Sequence, residues 1–184
     1  YASPVLDTLF LCYDHRVYRS EDAGAEWTQV RDGGCYGVAF SPDFGDDGIA
    51  FLGLTGNIYK TQDGGDTWVE VWDYESPWTT KGGVHSYYPS YPCRLVVSPH
   101  FTQDRTVFAN CGATRLLKST DGGDSWSEMY QFPFLAPATN LAISPRYIHD
   151  QTIMAGDLYE GVFLSKDGGT SWQQFDEDSG GTPF

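Results

Sequence analysis

The sequence predicts an all-β protein of the propeller class, a single domain over 1–184 built from four Asp-centred repeats, and three observations carry that expectation. One eight-residue turn motif occurs four times. Each occurrence lies downstream of a Ser-Pro turn flanked by apolar runs. No segment keeps apolar residues at i, i+3, i+4 and i+7 over three turns, so long helices are not expected. Composition agrees. The 184 residues are 40% hydrophobic and 16% aromatic, with 21 Gly, which suits one real core made of many short strands.

The four boxes are Ser20-Glu-Asp-Ala-Gly-Ala-Glu-Trp27, Thr61-Gln-Asp-Gly-Gly-Asp-Thr-Trp68, Ser119-Thr-Asp-Gly-Gly-Asp-Ser-Trp126 and Ser165-Lys-Asp-Gly-Gly-Thr-Ser-Trp172. Their Asp residues, Asp22, Asp63, Asp121 and Asp167, are 41, 58 and 46 residues apart, the range of one four-stranded propeller blade.

The first repeat, about 1–30, opens on a shortened turn, Ser3-Pro4 followed by Asp7 and Phe10. The second, 31–73, is the cleanest, with strands expected at Tyr36–Phe40, Gly48–Gly53, Asn57–Thr61 and Thr67–Val71 around Ser41-Pro42 and Asp47. The third, 93–130, carries Ser98-Pro99, Asp104 and Phe108; the fourth, 138–184, carries Ser144-Pro145, Asp150 and Met154.

Each box has a physical logic. An Asp in a tight hairpin turn accepts bonds from the N–H groups that follow it. Glycines just after it permit positive φ. The Trp opens the next strand and covers the turn as an apolar plug. Repeat one replaces the double glycine with Ala23-Gly24-Ala25 and the hydroxyl with Glu26, so a looser turn is expected there.

These boxes resemble the Asp-box, or BNR, repeat family, which includes bacterial sialidases, xyloglucanases, sortilin-type receptors and photosystem II assembly propellers. The resemblance covers the whole chain. It implies a propeller in which Asp22, Trp27, Asp63, Trp68, Asp121, Trp126, Asp167 and Trp172 are structural staples. It does not imply one activity, because functions are grafted on folds. A sialidase of this family needs an arginine cluster and an Arg-Ile-Pro signature. Here Arg16, Arg19, Arg31, Arg94, Arg105, Arg115 and Arg146 are scattered and the signature is missing. Xyloglucanases place two acids in a cleft between two large propellers, more than this chain can supply. Asp43, Asp46 and Asp47 with Asp73 are the remaining carboxylate candidates, and loop acids in an acidic protein are ordinarily solvated. No nucleophile elbow is present. The expectation is a non-enzyme with no catalytic residue, no cofactor and no metal; His15, His85, His100 and His149 lack ligand spacing.

A formal charge of −14, from 25 acidic and 11 basic residues, disfavours nucleic acid and anionic membranes as partners. No run of 18 apolar residues spans a bilayer. The chain starts at Tyr1 with no Met, which reads as processed or excised. Cys12, Cys35, Cys93 and Cys111 have no zinc spacing, and an even count suits an oxidising, extracellular or cell-surface setting. Register about the third Ser-Pro turn brings Cys93 within about a residue of Cys111, and Cys12 with Cys35 pairs by elimination across neighbouring blades. Four free buried thiols are the alternative.

The longest spacing hides an aromatic insertion, 72–92, with Trp72, Tyr74, Trp78, His85, Tyr87, Tyr88 and Tyr91 as a candidate stacking surface for a glycan or protein ligand. Gln131–Pro137 is a smaller insertion at the same place in the next repeat.

The C-terminus stops where an inner strand belongs, and Tyr1-Ala2-Ser3-Pro4 begins at the turn that would follow. Three arrangements stay open. Gly180–Phe184 closes the ring on the first blade, pairs with a neighbouring molecule's Thr8–Tyr13, or runs on into further blades of a longer chain. The leading expectation is an extracellular scaffold that assembles with itself, by strand donation between subunits. A binding module using the aromatic loop comes second, and a glycoside hydrolase fragment third.

Overall fold

The computed structural model describes residues 2, 7–73, 92–111, 115–131, 138–157 and 161–175. Among them the strands form four antiparallel sheets, each a simple meander in chain order. The first holds β1 (Leu9–Tyr13), β2 (Arg16–Ser20) and β3 (Thr28–Asp32). The second holds β4 (Gly37–Phe40), β5 (Ala50–Gly53), β6 (Asn57–Thr61) and β7 (Val69–Asp73). The third holds β8 (Arg94–Val97), β9 (Val107–Cys111), β10 (Arg115–Ser119) and β11 (Ser127–Gln131). The fourth holds β12 (Ala138–Ile143), β13 (Ile153–Asp157), β14 (Gly161–Ser165) and β15 (Gln173–Phe175). They are the four blades of a β-propeller.

In the three four-stranded blades, Phe40 meets Ala50, Val97 meets Val107 and Ile143 meets Ile153 on either side of the Ser-Pro turn. In the first blade the isolated bridge Ala2–Leu9 stands at that position, across the shortened turn. The full-length turns, expected from the sequence as Ser-Pro turns, each contain one helical turn: α1 (Phe44–Asp47), α2 (Phe101–Asp104) and α3 (Tyr147–Asp150). Their cause is local. The hydroxyls of Ser41, Ser98 and Ser144 donate to Asp47, Asp104 and Asp150 at 2.6–2.7 Å and accept the N–H two residues on. The other oxygen of each Asp takes the N–H of Ile49, Thr106 or Thr152. A Ser and an Asp six apart thus close one turn of helix between two strands.

The core lies between consecutive blades. One cluster joins blades one and two around Phe10, Val17, Phe44 and Leu52; the next joins two and three around Phe51, Phe101 and Leu117. Two more join three and four around Leu116, Phe163, Phe108 and Tyr147. A repeated aromatic pair marks each junction. Phe10 meets Phe44, Phe51 meets Phe101 and Phe108 meets Tyr147, all edge-to-face, with centroids 6.4, 6.2 and 5.5 Å apart. The strand phenylalanine of one blade therefore packs on the helical turn of the next. Burying such a ring contributes about 2–3 kcal/mol.

Candidate functional site

All four boxes form the same turn. Ser20, Thr61, Ser119 and Ser165 donate their hydroxyls to Asp22, Asp63, Asp121 and Asp167 at 2.7–2.8 Å. The same hydroxyls accept the N–H of Gly24, Gly65, Gly123 and Gly169. Each Asp then accepts the N–H of Glu26, Thr67, Ser125 or Ser171 at 2.9–3.0 Å. In the last three boxes the second oxygen also takes the Thr67, Ser125 or Ser171 hydroxyl. Glu26 has no such hydroxyl, so the first box is held by one bond fewer.

These bonds favour the ionised carboxylate. The Thr67 hydroxyl and N–H hold Asp63 down at about 2, and the Ser171 hydroxyl and N–H hold Asp167 at about 2. The Ser125 hydroxyl and N–H push Asp121 lower still, and Asp22 is lowered chiefly by the Glu26 N–H.

The indole N–H of Trp27, Trp68 and Trp172 donates back to the carbonyl of Gly24, Gly65 and Gly169 at 3.0–3.1 Å. The regular strand starts one residue after each Trp rather than at it, because the ring folds over the turn. Trp126 differs: its buried Nε1 has no hydrogen-bond partner.

Box and Ser-Pro turn share one rim. Gly64, Gly122 and Gly168 donate N–H to the carbonyls of Gly48, Arg105 and Gln151, and Ala23 donates to Asp7 at 2.9 Å. The rim is further joined by basic residues that the sequence reading did not single out. Arg19 pairs with Asp66 at 2.7 Å and donates to the Gly64 carbonyl; Lys60 reaches Asp124 at 2.6 Å; Lys118 reaches the Gly168 carbonyl at 3.1 Å. Each comes from one blade and grips the next blade's box. Burial pulls the Lys118 ammonium below the ordinary lysine value. The signal was visible in the sequence: the residue before the box Ser or Thr is basic in repeats one to three and Leu164 in the fourth.

The carboxylates proposed as a chance pair are not brought together. Asp43, Asp46 and Asp47 sit at the Ser-Pro rim, where Asp47 is held by Ser41. Asp73 ends β7 at the opposite rim, where Asn57 donates to it at 2.9 Å. His100 and His149 approach to 6.3 Å between ring centroids on neighbouring turns. Among the described residues no three His, Cys, Asp or Glu side chains are grouped to hold a metal.

Both disulfides lie at the rim opposite the boxes. Cys93–Cys111 closes the third blade, with Cα atoms 4.1 Å apart. Cys12–Cys35 joins the first blade to the second, at 5.5 Å. Trp72 of the aromatic insertion sits in β7 and packs against the core between blades two and three. Tyr74, Trp78, His85, Tyr87, Tyr88 and Tyr91 lie outside the described residues, as does Gly180–Phe184.

No family model matches the chain, and no curated protein matches it. Solved structures do. It is similar to an ancestral GH74 enzyme at a TM-score of 0.74 and 16% identity, over 97% of this chain and 24% of that one. It is similar to YCF48, solved bound to D1 peptide, at 0.57 and 16%, over 91% and 49%. It is also similar to the extracellular domain of BT4673 from B. thetaiotaomicron at 0.61 and 14%, over 94% and 21%. The chain therefore spans between a fifth and a half of the length of these three proteins. One is an enzyme and another was solved with a peptide, so what they share with this chain is the fold, a β-propeller of antiparallel blades.

Proposed function

We propose that the chain is a non-catalytic extracellular propeller with a structural role, a scaffold that assembles with itself through its first blade. The observation that carries this is the inner edge of β1. Where the other blades have a full inner strand, β1 is bridged among the described residues by Ala2 alone. A strand edge of this kind accepts a donated strand by backbone hydrogen bonds, and Gly180–Phe184 of a neighbouring molecule is the donor we propose. Two disulfides suit an oxidising, extracellular compartment. The carboxylates of the four boxes and three Ser-Pro turns accept bonds within their own turns, which supports reading that acidic rim as structure.

Light scattering on the chain with and without Gly180–Phe184 tests this. The expected result is a mass above the 20.5 kDa monomer that falls to it on deletion. A monomer in both cases overturns the proposal.

A further inference from the structure

A basic latch fastens each junction between consecutive blades: Arg19 at the first, Lys60 at the second and Lys118 at the third. At the first two the latch meets a box carboxylate, Asp66 at 2.7 Å and Asp124 at 2.6 Å. The corresponding box residue at the third junction is Thr170. Its hydroxyl donates to the Asp167 carbonyl at 3.1 Å, and so does not stand in for the missing acid. Lys118 keeps the Gly168 carbonyl but forms no ion pair among the described residues. An ammonium has three hydrogens to donate, and this contact uses one.

Two further positions depart from the repeat at the same junction. Tyr147 stands where Phe44 and Phe101 begin the other helical turns, and Gln151 stands where Gly48 and Arg105 end them. Tyr147 is 2% exposed, and its hydroxyl has no hydrogen-bond partner. Lys118 Nζ and Tyr147 Oη both lie 3.1 Å from the point above the Gly168 α-carbon where a side chain would start. Gln151 Oε1 lies 2.8 Å from that point but accepts from neither. Two donors are thus gathered at one glycine with hydrogens to give, and a buried donor without an acceptor is costly. Beside Lys118 an open cleft of about 350 Å³ runs between the blades, walled by Thr120 and Ser127 of the third and Thr170 of the fourth.

We propose that Lys118 binds an external carboxylate in this cleft, in the place that Asp66 and Asp124 fill at the other junctions, with the Tyr147 hydroxyl as a second donor. The ligand class is a small monocarboxylic acid. Carboxylates already satisfy the two sister latches through charge-assisted bonds. Glu128 borders the cleft, and Asp104 and Asp167 act on the ammonium from further off. A doubly charged anion such as phosphate is therefore opposed by three carboxylates, whereas a singly charged acid matches the one cation. Burial penalises the charge on Lys118, and an incoming carboxylate restores the charged form. The site lies inside the third junction, so it does not depend on how copies of the chain assemble.

Acetate is the probe. The full chain, carrying 13C-labelled lysine, is titrated with sodium acetate against sodium chloride at constant ionic strength and neutral pH. Lysine ε-methylene signals are followed by NMR, with Lys60 as the internal control because Asp124 already holds its partner position. The expected result is a saturable shift at Lys118 and none at Lys60. Thr170→Asp gives the fourth box the acid of its sisters, and is expected to weaken acetate binding by about tenfold or more, since a tethered acid competes at high effective concentration. Tyr147→Phe restores the residue the sister turns use, and is expected to weaken binding about fivefold for one lost hydrogen bond. Both variants introduce residues with which the other blades fold, and circular dichroism checks that the fold persists. No saturable shift at Lys118, an equal shift at Lys60, or a Lys118 signal that follows chloride as it follows acetate overturns the site. An affinity unchanged in Thr170→Asp also overturns it, and one unchanged in Tyr147→Phe overturns the hydroxyl's part in it.

Discussion

Lys60 Nζ donates to Asp124 Oδ1 at 2.6 Å from a side chain only 3% exposed, and so fastens the second blade to the third blade's box. The partner carboxylate is 62% exposed and rehydrates easily if the amine is lost. Most of the cost of removal is then the lost hydrogen bond and the emptied volume. Lys60→Ala is expected to destabilise by about 2–3 kcal/mol, and Lys60→Met, which keeps the stem, by about 1 kcal/mol. Urea unfolding measures both; equal losses would show that packing does not matter there.

The box carboxylates make the rim sensitive to acid. Asp63 and Asp167 drop from the ordinary 3.8 to about 2 on folding, so the unfolded chain binds more protons in that range. Their contribution is complete above about pH 4 and is lost as pH falls through about 2. Asp121→Asn is expected to lower the Tm by about 2–4 °C at neutral pH and to flatten the Tm profile between pH 4 and 2. Asp22→Asn has less effect, since its box lacks the hydroxyl bond to the second oxygen. Calorimetry across that range provides the check.

Adjacent glycines of one box carry different constraints. Gly64 has φ +74° with open space where a Cβ would go, whereas Gly65 has φ +99° and a Cβ there would stand 2.5 Å from Phe10 Cζ. Gly64→Ala incurs only backbone strain, about 1 kcal/mol. Gly65→Ala adds overpacking against a buried ring and is expected to cost about 3 kcal/mol. Chemical denaturation ranks the two; the reverse order would contradict the packing between blades one and two.

The disulfides are expected to reduce in sequence. Cys93 and Cys111 are 0% and 1% exposed, while Cys12 and Cys35 are both partly accessible. A thiolate reductant reaches Cys12–Cys35 first, as access limits exchange. Each closes a short loop, with separations of 23 and 18 residues, worth about 3 kcal/mol. Timed alkylation with peptide mapping would show Cys12 and Cys35 labelled before Cys93 and Cys111.

Much of the fold was legible because its determinants are local. Ser20 to Trp27 and its three counterparts close their own turns, with bonds reaching no more than four residues, so a motif in the sequence is a turn in space. Cys93 and Cys111 could be paired because a hairpin's register follows from its turn. The candidate sites were less legible. The helical turns at Phe44, Phe101 and Tyr147 arise from a Ser and an Asp six apart, a pattern noted in the sequence without its consequence. The latch residues Arg19, Lys60 and Lys118 looked like ordinary strand cations until their partners, 45–64 residues away, were placed beside them.

The sequence by itself determined the repeat, the turns and the alternation of strands, since hydrogen bonds within a few residues and period-two patterning need no distant partner. Only the tertiary structure decided which face of each blade is covered. Leu11 and Leu52 read alike as strand residues, and Phe10 and Met154 alike as apolar ones. Burial is a property of what lies opposite, and for the residues on a blade's face that neighbour comes from another repeat. The stacking of blades buries Leu52 and Phe10 and leaves Leu11 and Met154 partly in water.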